Sequence, residues 1–187
     1  MAKAELLAKA EVVMDARFEK ILQAFDERRC ALLDQVEALS AESLVARPIP
    51  GKWSILEIVE HLVLAEREVL QNLAEPSELV ARRRGLKAHL AYPMVMIVLK
   101  CGIPVKAPSP RMLPKGNTSL ADLRRQWDES HRWLRSYVNA LDREGFGRAV
   151  FAHPVAGPMN VGQTLHMGQL HVATHSRQIR RLIELTN

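Results

Sequence analysis

The chain has 187 residues, of which 48% are hydrophobic, 25% are charged and only 5% are aromatic. This composition excludes intrinsic disorder, and the scarcity of aromatic residues favours an all-α fold over a β-rich one. The formal net charge of +5 permits binding to nucleic acid or to an anionic membrane but does not require it.

The N-terminal stretch, residues 1–15, alternates charged with apolar residues and lacks a continuous hydrophobic stretch, so it does not predict a signal peptide. We interpret it as an extension of one domain that spans residues 1–187. Cys30 and Cys101 lie far apart without a C-x-x-C spacing, which argues against a disulfide framework and a cysteine zinc site. These features predict a cytoplasmic protein.

Two amphipathic helices are predicted in the first half of the chain. The first extends over residues 4–39, although its apolar stripe thins at residues 27–29, which leaves open a separate helix or a mobile extension before that point. The second begins after Ser54, which has capping-box spacing to Glu57, and its apolar face continues to Ala74.

The connection after the second helix, residues 75–117, is far longer than a usual loop in a helix bundle. We expect a short helix over Ser77–Leu90, then the apolar run Leu90–Leu99, then a proline-rich coil. The apolar run is about half as long as the roughly 20 residues that a transmembrane helix requires, so no transmembrane segment is expected. A connection of this length allows the chain to cross the bundle.

Two further helices are predicted in the second half. The third begins at residue 118 or 119, with Asp122 in its first turn, and stops before Gly145. Asn160 and Gln163 have the spacing of an N-terminal cap for the fourth. Because four such helices bury their apolar faces most simply against one another, the predicted fold is an all-α four-helix bundle.

Two histidines on the fourth helix are the strongest candidates for chemistry. His171 and His175 are one turn apart, about 40° around the helix, on its core-facing side. A shared metal ion would offset the cost of burying two imidazoles, and His61 on the second helix is the natural third ligand. The alternative is that they are core histidines bonded to the backbone or to carboxylates.

The other histidines are weaker candidates. His131 falls on the apolar face of the third helix. Three roles remain open for it: a fourth metal ligand, a residue that supports the metal site, or a hydrogen-bonded histidine of the core. Glu66 lies within the apolar stripe of the second helix and needs a partner, either a cation in a buried salt bridge or a metal-bound water. We expect His166 to face outward, His153 to lie in a loop and His89 to be solvated.

Several of these motifs occur together in one known family. The chain resembles the DinB-like (DinB/YfiT) superfamily of metalloenzymes over most of its length. The matching elements, in family order, are Gly51–Leu62 with its W-S-x-x-E-x-x-x-H pattern, Ala107–Pro108 with Pro114, His153–Pro154 through Gly157–Pro158, and His171-x-x-x-His175-x-x-Gln178–Ile179.

The resemblance implies a bundle with up-down-down-up connectivity, a crossover between the second and third helices, and a homodimer. It also implies a divalent metal, zinc or nickel, held by His61, His171 and His175. Some members transfer low-molecular-weight thiols such as bacillithiol or mycothiol to electrophiles, and others are hydrolases or isomerases. The chain departs from a compact member in residues 1–15 and in Leu90–Leu99.

We therefore expect a metal-dependent thiol S-transferase or hydrolase that acts on a small molecule and takes any thiol from a cofactor. The alternative is a non-catalytic binding module with membrane-surface or partner contacts through residues 82–100, where basic residues flank the apolar run. For this segment a helical lid on the bundle or a dimer contact is the simpler interpretation. Nucleic-acid binding is not expected, because only the net charge favours it.

Overall fold

The structure, a computed structural model, describes residues 16–79, 81, 85–103, 105 and 107–186. The predicted N-terminal extension and the arginines at 82–84 lie outside these residues. The described α-helices are α1 (Ala16–Glu37), α2 (Ala41–Val45), α3 (Ile55–Gln71), α4 (Leu86–Cys101), α5 (Leu120–Asn139) and α6 (Val161–Thr186). Short 3₁₀ turns occupy Pro76–Glu78, Pro110–Met112 and Gly145–Gly147, and two strands, β1 (Phe151–His153) and β2 (Gly157–Met159), pair antiparallel.

Four of these helices, α1, α3, α5 and α6, form the predicted bundle. Helix α1 packs on α6 and α5, and helix α3 packs on α5 and α6. Side-chain contacts show that α3 is parallel to α5, that α1 is antiparallel to α5, and that α1 is parallel to α6. For α3 and α5, the contacts are Arg67 with Gln126 and Ala74 with Tyr137. For α1 and α5, they are Glu37 with Arg124 and Glu19 with Arg135. For α1 and α6, they are Phe18 with Gly162 and Ile21 with Gln169.

These directions give the up-down-down-up connectivity that the family resemblance implied. Because α3 and α5 are parallel, the chain must return along the bundle between them, and the long connection does this. The core between the helices is closely packed and includes the fully buried Trp127 and Tyr137 of α5. No helix within the described ranges has the length and apolar character needed to cross a bilayer.

Local sequence signals set the helix starts. Ser54 accepts a hydrogen bond from the Glu57 backbone N–H while the Glu57 carboxylate accepts from the Ser54 N–H, so the predicted capping box is present. Ser119 caps α5. At α6, the Gln163 N–H donates to Asn160 Oδ1 at 2.9 Å and the Asn160 N–H donates to Gln163 Oε1 at 3.1 Å.

The connection corrects one prediction. The expected short helix over Ser77–Leu90, followed by a separate apolar run, is wrong, since one helix, α4, covers Leu86–Cys101 and contains Pro93. A proline within a helix leaves the carbonyl four residues earlier without its donor. Here Pro93 and His89 are both exposed, so water can satisfy that carbonyl. The buried Met96 anchors the other face of α4 against α6 and the hairpin.

Helix α1 decides between alternatives that the sequence left open. A separate helix before residue 27 is excluded within the described part of α1, which is continuous from Ala16 to Glu37. The apolar stripe thins there because the charged side chain of Arg29 is buried at this position. Its guanidinium donates to Asp26 in the same helix and to Asp128 in α5, so these ionic hydrogen bonds replace apolar packing. The short helix α2 and the β-hairpin were not predicted.

Candidate metal centre

Three imidazoles converge where α3 faces α6. Helix α3 supplies His61, and α6 supplies His171 and His175 from successive turns. His171 Nε2 lies 3.3 Å from His61 Nε2 and 3.1 Å from His175 Nε2. One nitrogen from each ring lies within 4.8 Å of the others. The structure thus brings together the three histidines that the sequence singled out.

Hydrogen bonds to the outer nitrogens fix the orientation of two rings. His61 Nδ1 donates to the carbonyl oxygen of Met112 at 2.7 Å, and His175 Nδ1 donates to Gln178 Oε1 at 2.9 Å. A neutral imidazole that carries its proton on Nδ1 has a free lone pair on Nε2. Both Nε2 lone pairs therefore face the third ring, that of His171.

Burial keeps the three rings neutral. Burial lowers the pKa of His61, and the hydrogen bond to Met112 offsets only part of this lowering. For His171, burial and the closeness of the other two rings depress the pKa well below the ordinary value. Burial, with repulsion from His61, lowers the pKa of His175 to about 4. Neutral imidazoles are the form that binds a metal.

The nitrogen spacing fits a shared cation. Two nitrogens bound to one tetrahedral zinc at about 2.0–2.1 Å are about 3.3 Å apart. The two measured Nε2 separations from His171, 3.3 and 3.1 Å, agree with this value. Three histidines also match the donor set of catalytic zinc sites, in which three protein ligands leave the fourth position to water or substrate.

The tryptophan and glutamate of the W-S-x-x-E-x-x-x-H pattern support His61. The Trp53 ring lies 4.8 Å from the His61 ring, centroid to centroid. Glu57 completes the cap of α3 and also accepts from Arg47 at 2.6 Å, which ties the preceding segment to the helix. The pattern therefore fixes the start of the helix about two turns before the histidine in sequence and places the Trp53 ring beside the His61 ring.

The residue before His61 fixes the returning chain. The carboxylate of Glu60, which is buried, accepts from the backbone N–H groups of Lys115 and Gly116 at 3.0 and 2.7 Å. It also accepts from the Thr118 hydroxyl at 3.0 Å. These bonds hold the segment just after the turn that supplies the Met112 carbonyl. Sequence reasoning missed Glu60 and Met112. The only available signal concerned Glu60, because a carboxylate that is buried cannot pack as an apolar side chain does and therefore needs polar partners.

The remaining candidates lie elsewhere. His131 is not a fourth ligand: its Nδ1 lies 3.1 Å from Asp26 and its Nε2 lies 3.2 Å from Glu66, so it is a core histidine between carboxylates. Glu66 also accepts from the indole N–H of Trp127 at 2.8 Å. The expectation that His153 lies in a loop is wrong, since it is the last residue of strand β1; its Nδ1 accepts from the backbone N–H groups of Val155 and Ala156 in the hairpin turn.

Two outward-facing histidines were predicted correctly. His166 and His89 are exposed, as the helical angles of the first and the basic surroundings of the second indicated. Cys30 and Cys101 are free thiols, and neither belongs to the histidine cluster. Within the described ranges, one group of three or more His, Cys, Asp or Glu side chains could hold a metal ion, and it consists of His61, His171 and His175.

Comparisons with known proteins agree with this architecture. Residues 24–179 match the model of the DinB superfamily. The uncharacterized protein YuaE of Bacillus subtilis strain 168 is 25% identical in an alignment of 175 positions that covers 87% of this chain and 97% of that protein. The structure of YfiT from Bacillus subtilis, described as a probable metal-dependent hydrolase with an unusual four-helix bundle topology, is similar with a TM-score of 0.53. It is 19% identical, and the match covers 95% of this chain and 91% of YfiT.

Proposed function

This chain belongs to the DinB superfamily, and on that premise we propose that it is a metal-dependent enzyme whose divalent cation is held by His61, His171 and His175. The description of YfiT as a probable metal-dependent hydrolase supports a hydrolytic activity. Transfer of a low-molecular-weight thiol is the other form of the proposal, because some members of the superfamily that the chain resembles carry out this reaction. In both forms the substrate is a small molecule.

One observation carries the proposal: the cluster holds more lone pairs than donors. The Nδ1 protons of His61 and His175 are committed to Met112 and Gln178, so both Nε2 atoms are acceptors. The Nε2 atom of His171 can carry one proton and satisfy one of them at most. A cation on the side where the three nitrogens meet would satisfy every lone pair at once.

When bound, a divalent cation supplies Lewis-acid chemistry and lowers the pKa of a coordinated oxygen or sulfur. The protein orients the ligands: Met112 and Gln178 fix two imidazoles, and Trp53 shields one face of His61. Because neither cysteine belongs to the cluster, a transferred thiol would come from a cofactor. Three imidazoles suit both zinc and nickel.

Metal analysis tests the ligand assignment. We expect untagged protein, purified without chelator, to contain about one zinc or nickel ion per chain by mass spectrometry, and His171→Ala to lose nearly all of it, since two imidazoles do not form a complete site. His166→Ala, on the same helix but exposed, is the matched control and should retain the metal. Equal metal content in His171→Ala and the control would reject the assignment.

Activity assays then separate the two reaction types. The metal-loaded protein is incubated with ester and amide substrates in the absence of thiol, and with an electrophile in the presence of several low-molecular-weight thiols. Turnover without thiol that is lost in His171→Ala and kept in His166→Ala identifies a hydrolase. Turnover that requires a thiol identifies a transferase. Activity that survives equally in both variants would contradict a catalytic role of the cluster.

A further inference from the structure

The crossover has an unusual charge. Residues 79–121 contain eight of the chain's 26 Lys and Arg residues and none of its 21 Asp and Glu residues. The chain's positive balance therefore resides in residues 79–121, and the remainder of the sequence carries more acidic than basic residues. A single-sign segment of this length creates a local field that attracts anions.

Helix α4, within this segment, exposes an apolar stripe. Leu86, Leu90, Met94 and Ile97 are 78%, 67%, 61% and 54% exposed. Their spacing of four, four and three residues places them within about 80° of one another around the helix. The helix is about 24 Å long at 1.5 Å per residue, so the stripe extends over most of that length.

The opposite face of α4 is already occupied. Met96 is buried against Met159 and Met167, and Val95 and Leu99 pack on the same cluster. Both faces of the helix are therefore apolar, and only one contacts the bundle. The helical lid expected for this segment is thus present, but it leaves the outer stripe uncovered by any described residue.

Basic side chains border the outer stripe. Lys87 lies about 100° from Leu86 around the helix on one side, and Lys100 lies about 40° from it on the other. Both lysines are exposed. Because its inner face is packed on the bundle, α4 offers solvent the apolar stripe and its two lysines. Exposed apolar area beside basic side chains is the combination that favours contact with an anionic membrane surface.

From this charge complementarity we infer that the outer stripe of α4 docks on an anionic lipid surface. A second copy of the chain is a poorer occupant, because a symmetric contact through this face would bring the lysines of both copies together without a carboxylate in residues 79–121 to pair with them. Nucleic acid would satisfy the charge but would leave the leucines and Ile97 unmatched.

Docking would bring the histidine cluster close to the lipid. At the C-terminal end of α4, the Thr174 hydroxyl donates to the Leu99 carbonyl at 2.5 Å, and Arg177 donates to the Lys100 carbonyl at 2.8 Å. Thr174 directly precedes His175. The inference itself does not depend on a bound metal, so it can fail or hold separately from the proposed function.

Vesicle sedimentation tests the docking. We expect the full chain to sediment with vesicles of phosphatidylglycerol and phosphatidylcholine at low salt, with a partition coefficient at least about tenfold above that for phosphatidylcholine alone. High salt should lower the partition, because it screens the lysines. Leu90→Glu with Ile97→Glu should lower it by at least about tenfold, because two apolar side chains that would leave water are replaced by anions.

The control variant is Val45→Glu with Leu185→Glu, which alters two exposed apolar residues outside the crossover by the same chemistry and adds the same charge. It should bind the anionic vesicles within about twofold of the unchanged protein. Equal binding of the α4 variant and this control would overturn the inference. The inference would also be overturned if the unchanged protein did not bind anionic vesicles but formed a dimer in solution that only the α4 substitutions dissociated.

Discussion

Replacing Glu60 tests whether a residue that does not contact the histidine cluster maintains its geometry. The buried carboxylate accepts from two backbone N–H groups and from the Thr118 hydroxyl, and thereby holds the segment that follows the Met112 carbonyl. Glu60→Ala removes all three acceptor contacts. Glu60→Gln keeps the shape and one carbonyl oxygen but removes the negative charge.

The size of the effect follows from these bonds. A hydrogen bond to a charged group stabilises a protein by about 1.5–3 kcal/mol. Lys115 and Gly116 are exposed, so their N–H groups regain water when the carboxylate is lost, and the sum is smaller than three full bonds. We expect Glu60→Ala to lower the free energy of unfolding by about 3 kcal/mol and Glu60→Gln by about 1 kcal/mol. For a chain of this length, 3 kcal/mol corresponds to a Tm lower by about 6–12 °C.

The metal site should weaken as well. If the freed segment no longer presents the Met112 carbonyl, His61 loses the bond that orients its ring, and loss of such a supporting contact typically lowers metal affinity by about 10–100-fold. Urea unfolding of the metal-free protein measures the stability, and chelator competition measures the affinity. Glu129→Ala, an exposed glutamate of α5, is the control and should change stability by less than about 0.5 kcal/mol.

Two results would refute the reasoning in separate ways. Unfolding of Glu60→Ala at the same urea concentration as the unchanged protein would mean that the three bonds contribute nothing to stability. A destabilised Glu60→Ala that binds metal with unchanged affinity would mean that the segment and the His61 orientation are not coupled.

Three further outcomes follow from described contacts. Arg29→Ala should lower the free energy of unfolding by about 1–3 kcal/mol in a urea titration, because the hydrogen bonds of the buried guanidinium to Asp26 and Asp128 are lost while both aspartates stay partly exposed to water; a loss below about 0.5 kcal/mol would contradict this. Gly157→Ala should lower Tm, because Gly157 has φ +70° and an added Cβ would lie 2.9 Å from a side chain of α4; an unchanged Tm would show that the hairpin shifts freely. Metal-free protein should lose stability as pH falls from about 6.5 to 4, since the unfolded chain binds protons that His175, with its pKa of about 4, does not, a difference of up to about 3 kcal/mol. His175→Gln should reduce this dependence without abolishing it, because burial also lowers the pKa values of His61 and His171. An equal loss of stability in the unchanged protein and in the variant across that pH range would contradict the prediction.

The sequence predicted the bundle because its helices carry strong local signals. The caps at Ser54, Ser119 and Asn160 and the apolar stripes that follow them are determined within a few residues of the chain. The one-turn spacing of His171 and His175 identified two of the three histidines, and the place of His61 on the second helix made it the natural third candidate. The family resemblance then implied the same three residues.

Long-range contacts were not predictable in the same way. The short helix predicted to end at Leu90 is instead a helix that continues past Pro93 to Cys101, because Met96 packs on the bundle and the proline is exposed. The partners of His131 come from two other helices, and the carbonyl that orients His61 is 51 residues away. Periodicity shows which face of a helix is buried, but it does not show which polar group meets it there.

The separation of 110 residues between His61 and His171 determines when a cation can be captured during synthesis. Helix α6 leaves the ribosome after the other helices, so a nascent chain that presents His61 alone would hold a cation no more firmly than any isolated imidazole. Metal loading would therefore be a late event that reports a fully assembled bundle, and premature termination before α6 would yield a chain without a site to load.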